Sequence, residues 1–188
     1  MKAHDEDIAC ITQVLRGDTA RFADIVNRYE RQLFAVVVRI VGNREDAEEL
    51  VQDVFVKAFN SLGSFRAGSS FSTWLYRIAY NTAISKTRKK RVNTVEIDEK
   101  TQKSDFSENE MEEGFNTAAR ERKFDKAEIA MGMLEPAERA MVAMFYLERK
   151  PISEIAHITG FTETNVKTRL HRIRKKLYMM INGMEEQA

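Results

Sequence analysis

The chain of 188 residues is poor in residues that bend or staple a backbone, with one cysteine, two prolines and eight glycines. Cys10 alone cannot close an intrachain disulfide, which excludes a disulfide-stapled fold and suits a reducing cytoplasm. So few turn formers argue against a sandwich or barrel of short strands. No apolar run reaches the roughly eighteen residues that a spanning helix needs, so direct membrane insertion is not expected. The start carries Asp5, Glu6 and Asp7 and lacks the apolar core of a secretory leader, which points to a cytoplasmic protein. His4, His157 and His171 have no ligand-like spacing to Cys10 or to one another, and no glycine-rich phosphate loop is present. No metal, no cofactor and no catalytic residue is therefore expected.

What is present is apolar spacing and charge. Apolar residues make up 43% and charged residues 31% of the chain, a balance that favours a helix-rich protein with a real core. Net charge is only +1, but the average conceals blocks. Phe65 to Val95 holds seven Lys or Arg and no acid, and Val166 to Leu177 holds six with His171 and again no acid. Between them, Glu96 to Glu113 has eight acids against two lysines. Two basic surfaces separated by an acidic stretch are expected.

Phe22, Ile25, Val26, Tyr29, Leu33, Val36, Val37 and Ile40 recur at helical spacing, with Thr19 as a candidate cap and Gly42 as a left-handed end. Asn43 opens the next helix, with Asp46 three residues on. A further helix runs from about Ser72 to Arg88, with Trp74, Leu75, Ile78 and Ala79 on its apolar side. Residues 93–122 are polar, acidic and poorly periodic, and read as a flexible linker. Apolar spacing returns near Phe124, and Pro136 suits the first turn of a helix continuing toward Pro151. Met131, Met133, Met141 and Met144 read as core filler. The fold class is all-α: two helical domains, 1–92 and 123–188, joined by an acidic linker.

Ile152 to Leu177 has the pattern of a DNA-binding helix-turn-helix. Ile152, Ile155, Ala156 and Ile158 give a short helix its apolar side, Gly160 allows a sharp turn, and Thr162 can cap the second helix. At about 100° per residue, Val166, Leu170, Ile173 and Leu177 cluster on one side. Thr164, Lys167, Thr168, His171, Arg172 and Lys175 cluster opposite. Cations for phosphates and guanine edges, with threonines for base edges, are what a recognition helix requires. A basic stripe alone is more often a solvated face. The short partner helix, the turn and the matching core spacing favour DNA here.

The first domain has two unusual faces. Glu49, Gln52, Asp53 and Val56 lie opposite the apolar side of the helix from Asp46 to Phe59. On physical grounds alone a solvated face is the simpler account, with a docking surface as the alternative. The helix from Ser72 carries Arg77, Asn81, Ser85 and Arg88 in one polar stripe, with aromatic residues interleaved. Arg66 to Phe71 is a small polar loop with room for a nucleotide. Bases mixed with aromatics suit unpaired DNA.

Asp46-Ala-Glu-Glu-Leu-Val-Gln-Asp-Val-Phe-Val-Lys-Ala-Phe59 and Phe71-Ser-Thr-Trp-Leu-Tyr-Arg-Ile-Ala-Tyr-Asn81 resemble region 2 of bacterial sigma factors. Pro136-Ala-Glu-Arg139, Glu154-Ile-Ala156 and Val166 to Leu177 resemble region 4. The size and the short linker resemble the extracytoplasmic-function (ECF) group. The resemblance implies that Glu49, Gln52, Asp53 and Val56 dock on core RNA polymerase, at the β′ clamp coiled coil, with the β subunit also in contact. It implies that Arg66, Phe71, Arg77, Asn81, Ser85 and Arg88 serve the −10 element, and that the recognition helix reads the −35 element. It also implies promoter-specific initiation and control by an anti-sigma factor, membrane-bound in some members, that could hold the two domains closed. A helix-turn-helix regulator that never joins polymerase is the alternative, and it leaves the acidic face of the first domain unexplained.

Overall fold

The computed structural model describes residues 2–66, 68–92 and 126–184. The expected linker, 93–122, lies outside the described residues. Every regular element among the described residues is helical. The first four helices are α1 (Lys2–Leu15), α2 (Phe22–Val41), α3 (Arg44–Ser61) and α4 (Phe71–Val92). After the linker come α5 (126–132), α6 (Pro136–Val142), α7 (Ile152–Thr159) and α8 (Glu163–Gly183).

The expected helix ends are mostly where the cap chemistry puts them. The Asn43 side chain accepts from the Asp46 amide at 2.9 Å and starts α3. Gly42 sits at φ 74 and closes α2, its amide donating to the Val38 carbonyl at 2.8 Å. Ser70 Oγ accepts from the Thr73 amide at 3.1 Å, so α4 begins just before the expected Ser72. Thr19 does not cap α2. A single 3₁₀ turn, Thr19–Arg21, runs straight into the helix, and Arg21 is already helical at φ −62 and ψ −18. No extended residue remains there from which a side chain could fold back.

α1 is an element that the apolar spacing did not announce. Its buried face is Asp7, Cys10, Ile11 and Val14, and a carboxylate in that stripe breaks the pattern. The carboxylate is satisfied by α2. Tyr29 donates its hydroxyl to Asp7 at 2.5 Å, and the Arg28 guanidinium pairs with the same carboxylate. Burial, then the hydrogen bond to Asp7, pushes the Tyr29 hydroxyl above its ordinary range.

α1 to α4 enclose one core around Leu33, Val37, Val54 and Leu75, and α6 to α8 add Met141, Met144, Ile155, Val166 and Ile173. Only part of the methionine run is filler. Met141 and Met144 are buried, Met131 is half-buried, and Met133 is exposed. The helix expected to reach Pro151 also changes character. α6 passes at Ala143 into a single π turn, Ala143–Leu147, and Arg149 then adopts φ 49. Widened turns of this kind are rare and recur where side chains need an unusual direction.

Candidate nucleic-acid and docking interfaces

The helix-turn-helix forms from α7 and α8. Gly160 stands at φ 78 between them, and Thr162 Oγ1 accepts from the Asn165 amide at 3.2 Å. Ile155, Ala156, Ile158, Val166, Leu170 and Ile173 are buried between the helices and α6. That leaves Thr164, Lys167, Thr168, His171 and Arg172 exposed along α8, with Lys175 partly so. Lys167, Arg172 and Lys175 have no hydrogen-bond or ion-pair partner among the described residues.

One residue missing from the expected stripe stands out. Arg169 Nε donates to Asn165 Oδ1 at 2.7 Å, and its guanidinium lies 4.4 Å from the centre of the Phe161 ring. A guanidinium held on two sides has already lost much of its rotamer freedom. The i to i+4 spacing of Asn165 and Arg169 was a readable signal, but it flanks the stripe rather than centring on it.

On α4, Arg77, Asn81, Ser85 and Arg88 are all exposed and share one face, and Arg66 is exposed in the preceding loop. Phe71 is a correction. It is completely buried, with its ring 5.9 Å from Tyr29, 5.5 Å from Phe65 and 5.5 Å from Trp74. As the first residue of α4 it points back into the helix layer, so it anchors the loop instead of facing a ligand. Trp74, the aromatic that most suggests core, is only partly buried. It lies beside Phe65 at the edge of the cluster.

On α3, Glu49, Gln52, Asp53 and Val56 are exposed together. Val56 is 59% exposed, and Phe59, one turn on, also reaches the surface. Two of the cations near the end of α4 are turned toward this helix. Lys86 reaches Glu49 at 2.6 Å and Asp46 at 3.2 Å, while Lys90 reaches Asp46 at 3.3 Å. The hydrogen bond from Lys86, joined by that from Lys90, lowers the Asp46 carboxyl below its ordinary range. The hydrogen bond to Glu49 raises Lys86. Those two lysines therefore brace α4 on α3, Lys90 while still 70% exposed, and Arg77, Arg88 and Lys89 stay open to solvent.

Two shallow cavities are present among the described residues, and the second borders Thr168 and Arg172 of the expected recognition stripe. A shallow one of 410 Å³ is lined by Glu6, Cys10, Arg21, Asp24 and Arg28 between α1 and α2. Another, of 300 Å³, lies between Glu138 and Met141 of α6 and Asn165, Arg169 and Arg172 of α8. No group of His, Cys, Asp and Glu among the described residues has the arrangement of a metal site. No helix among them is long and apolar enough to cross a membrane.

Residues 25–92 match the model of Sigma-70 region 2, and residues 127–177 match that of Sigma-70 region 4. The chain is 30% identical over 180 residues to the ECF RNA polymerase sigma factor SigW of Bacillus subtilis (strain 168), covering 93% of this chain and 96% of that one. Its fold is similar to CnrH, solved in complex with the cytosolic domain of CnrY, at a TM-score of 0.67 and 22% identity, covering 93% of this chain and 96% of that one. It is also similar to the sigma factor RpoE solved with the anti-sigma factor NepR from Bartonella quintana, at a TM-score of 0.64 and 22% identity, over 86% and 96% of the two chains. Two helical domains in the order region 2 then region 4, an acidic and a basic face on the first and a helix-turn-helix in the second, together with these matches, place the chain in the family of ECF RNA polymerase sigma factors.

Proposed function

We propose that three exposed faces divide the work of promoter-specific initiation. Glu49, Gln52, Asp53 and Val56 of α3 dock on core RNA polymerase. Arg66, Arg77, Asn81, Ser85 and Arg88 hold the −10 element as it opens. Thr164, Lys167, Thr168, His171, Arg172 and Lys175 of α8 read the −35 element in the major groove. Phe71 acts from the core, by fixing the loop 66–70. The partly exposed Trp74 and Phe65 are the aromatics at hand for an extruded base, whose unstacking costs about a few kcal/mol. Polymerase carries the chemistry and this chain carries selectivity. It is not itself an enzyme, and it works in the cytoplasm.

The observation that carries this reading is the coexistence of an exposed acidic docking stripe on α3 with an exposed polar and cationic stripe on α4. A helix-turn-helix regulator acting without polymerase has no use for the first, and the region 2 match further disfavours it. Two proteins of similar fold were solved as complexes, one of them with a named anti-sigma factor. We extend that control to this chain, through a partner that competes with polymerase for these faces. The test is reconstitution: core polymerase with the purified chain should yield transcripts whose mapped start sites share an upstream motif. Absence of any promoter-specific transcript from genomic templates would overturn the reading.

A further inference from the structure

Arg169 is an exposed cation of α8 that none of the three proposed faces uses. At about 100° per residue it stands one step round the helix from Thr168, near the middle of the recognition stripe. The major groove is about 12 Å wide, and a helix with its side chains is about 10–12 Å across. A helix seated there turns its central stripe to the base edges and its flanks to the sugar–phosphate walls. Arg169 therefore faces a wall, on the side where α8 packs on α6.

The guanidinium is held in place without any help from DNA. Its Nε donates to Asn165 Oδ1 at 2.7 Å, and its carbon lies 4.4 Å from the centre of the Phe161 ring. Both supports are themselves fixed. The Asn165 amide donates to the Thr162 cap at 3.2 Å, and the partly buried Phe161 ring packs against the core. A guanidinium offers five N–H donors in one plane. One is spent on Asn165, and those on Nη1 and Nη2 have no acceptor among the described residues. Two parallel N–H groups at this open end match two oxygens of a phosphate.

The surroundings favour an anion. The 300 Å³ cavity between α6 and α8 is lined by Arg169 and Arg172, with Glu138 as the one acid among its described lining residues. Glu138 is already engaged: its Oε2 accepts from Lys176 Nζ at 2.9 Å and from the Glu135 amide at 3.0 Å. Arg172 is exposed and has no partner among the described residues. An anion at the mouth of the cavity thus meets two guanidinium charges and no uncompensated carboxylate. Thr168 beside them donates its hydroxyl to the Thr164 carbonyl at 2.9 Å, which leaves the anion to the arginines.

We propose that Arg169, preset by Asn165 and Phe161, clamps a backbone phosphate beside the −35 element, and so fixes the seating of α8 in the groove without reading a base. The clamp presupposes the sigma-factor reading. Its test uses holoenzyme reconstituted from core polymerase and each variant chain. The probe is a fluorescent promoter duplex taken from the mapped start sites, together with copies carrying single base changes in the −35 element, titrated at several salt concentrations. Arg169→Ala should weaken binding by about tenfold and flatten the log–log salt dependence by about one unit, with the ranking of the base changes kept. Asn165→Ala keeps the charge and loses one support, so binding should weaken by roughly threefold at an unchanged slope. Arg169→Lys keeps the charge and loses the planar fork, so it too should weaken binding at an unchanged slope; it stands in where the alanine variant loses helical content. A folded Arg169→Ala chain with the wild-type slope overturns the proposal whatever its affinity, because a merely structural arginine releases no counterion. Relaxed preference at one base pair overturns it as well, since Arg169 would then be a base reader. Wild-type affinity in both Asn165→Ala and Arg169→Lys removes the preset fork and overturns the clamp. A wild-type holoenzyme with no promoter preference fails the sigma-factor reading instead, and the clamp falls with it.

Discussion

Lys86 of α4 bridges to Glu49 of α3 at 2.6 Å, tying the candidate DNA helix to the candidate polymerase face. Glu49 is thus shared between bracing and docking. Asp53, one turn later on the same face, is exposed and has no partner among the described residues. Asp53→Arg should abolish capture of core polymerase while leaving the thermal midpoint unchanged. Glu49→Gln should weaken capture less and also loosen Lys86. Retained capture by Asp53→Arg in a pull-down would remove α3 from the docking role.

The recognition helix allows a salt-resolved test. Lys167 and Arg172 are exposed cations with no partner among the described residues, each able to replace one counterion on the duplex. Each alanine variant should weaken −35 binding and, where the contact is to phosphate, flatten the log–log salt dependence by about one unit. A contact to a guanine edge would instead relax base preference at one position, costing about 1–3 kcal/mol of discrimination. A variant that changes neither slope nor preference does not touch the DNA.

Asp7 is the buried polar joint between α1 and α2. Asp7→Ala strands the Tyr29 hydroxyl and leaves Arg28 only its pair with the exposed Glu6, at 3.1 Å, and should cost about 2–3 kcal/mol in denaturant unfolding. Adding Tyr29→Phe should recover part of that loss, since the stranded hydroxyl goes with it. Strictly additive losses would show that the pair is not coupled.

Alkaline pH should unfold the protein through its buried tyrosines. Burial raises Tyr29, Tyr76 and Tyr80 above the ordinary value of 10.0, with Asp7 adding to the shift of Tyr29 and Glu148 to that of Tyr76. A proton held more tightly by the folded state adds stability that is complete below the unfolded pKa and is lost as pH climbs through the folded one. Stability should therefore decline above about pH 10, and tyrosinate absorbance from these residues should rise with loss of helix. Tyr76→Phe should lessen the decline. Ionisation of the three tyrosines well ahead of unfolding would contradict their burial.

Gly160 turns the helix-turn-helix at φ 78, and a side chain there would meet no neighbour within 4 Å. The cost of Gly160→Ala is therefore backbone strain alone, about 1–2 kcal/mol. Gly160→Asn should cost less, because a short polar side chain tolerates the left-handed region. A clash-free alanine that leaves the melting temperature unchanged would mean that the turn relaxes.

The helix-turn-helix was legible because its information is local. Apolar spacing, one glycine and one capping threonine act within a few turns of chain, and they specify α7, α8 and the exposed stripe of α8. The same holds for α2, for the start of α3 at Asn43 and for the stripe Arg77, Asn81, Ser85 and Arg88. What required tertiary structure was every choice made by a distant neighbour. Asp7 is buried because Tyr29 and Arg28 receive it. Phe71 is core because Tyr29 meets it from the buried side, while Trp74 and Phe65 cover it at the edge of the cluster. Lys86 and Lys90 brace α3 because Asp46 and Glu49 stand opposite. The contact of α4 with α7, made through Tyr76 and Lys150, depends on a π turn and a left-handed Arg149 that no periodicity encodes. Local propensity determined where this chain is helical and which faces are charged; long-range burial and pairing decided which of those charges remain open to a partner.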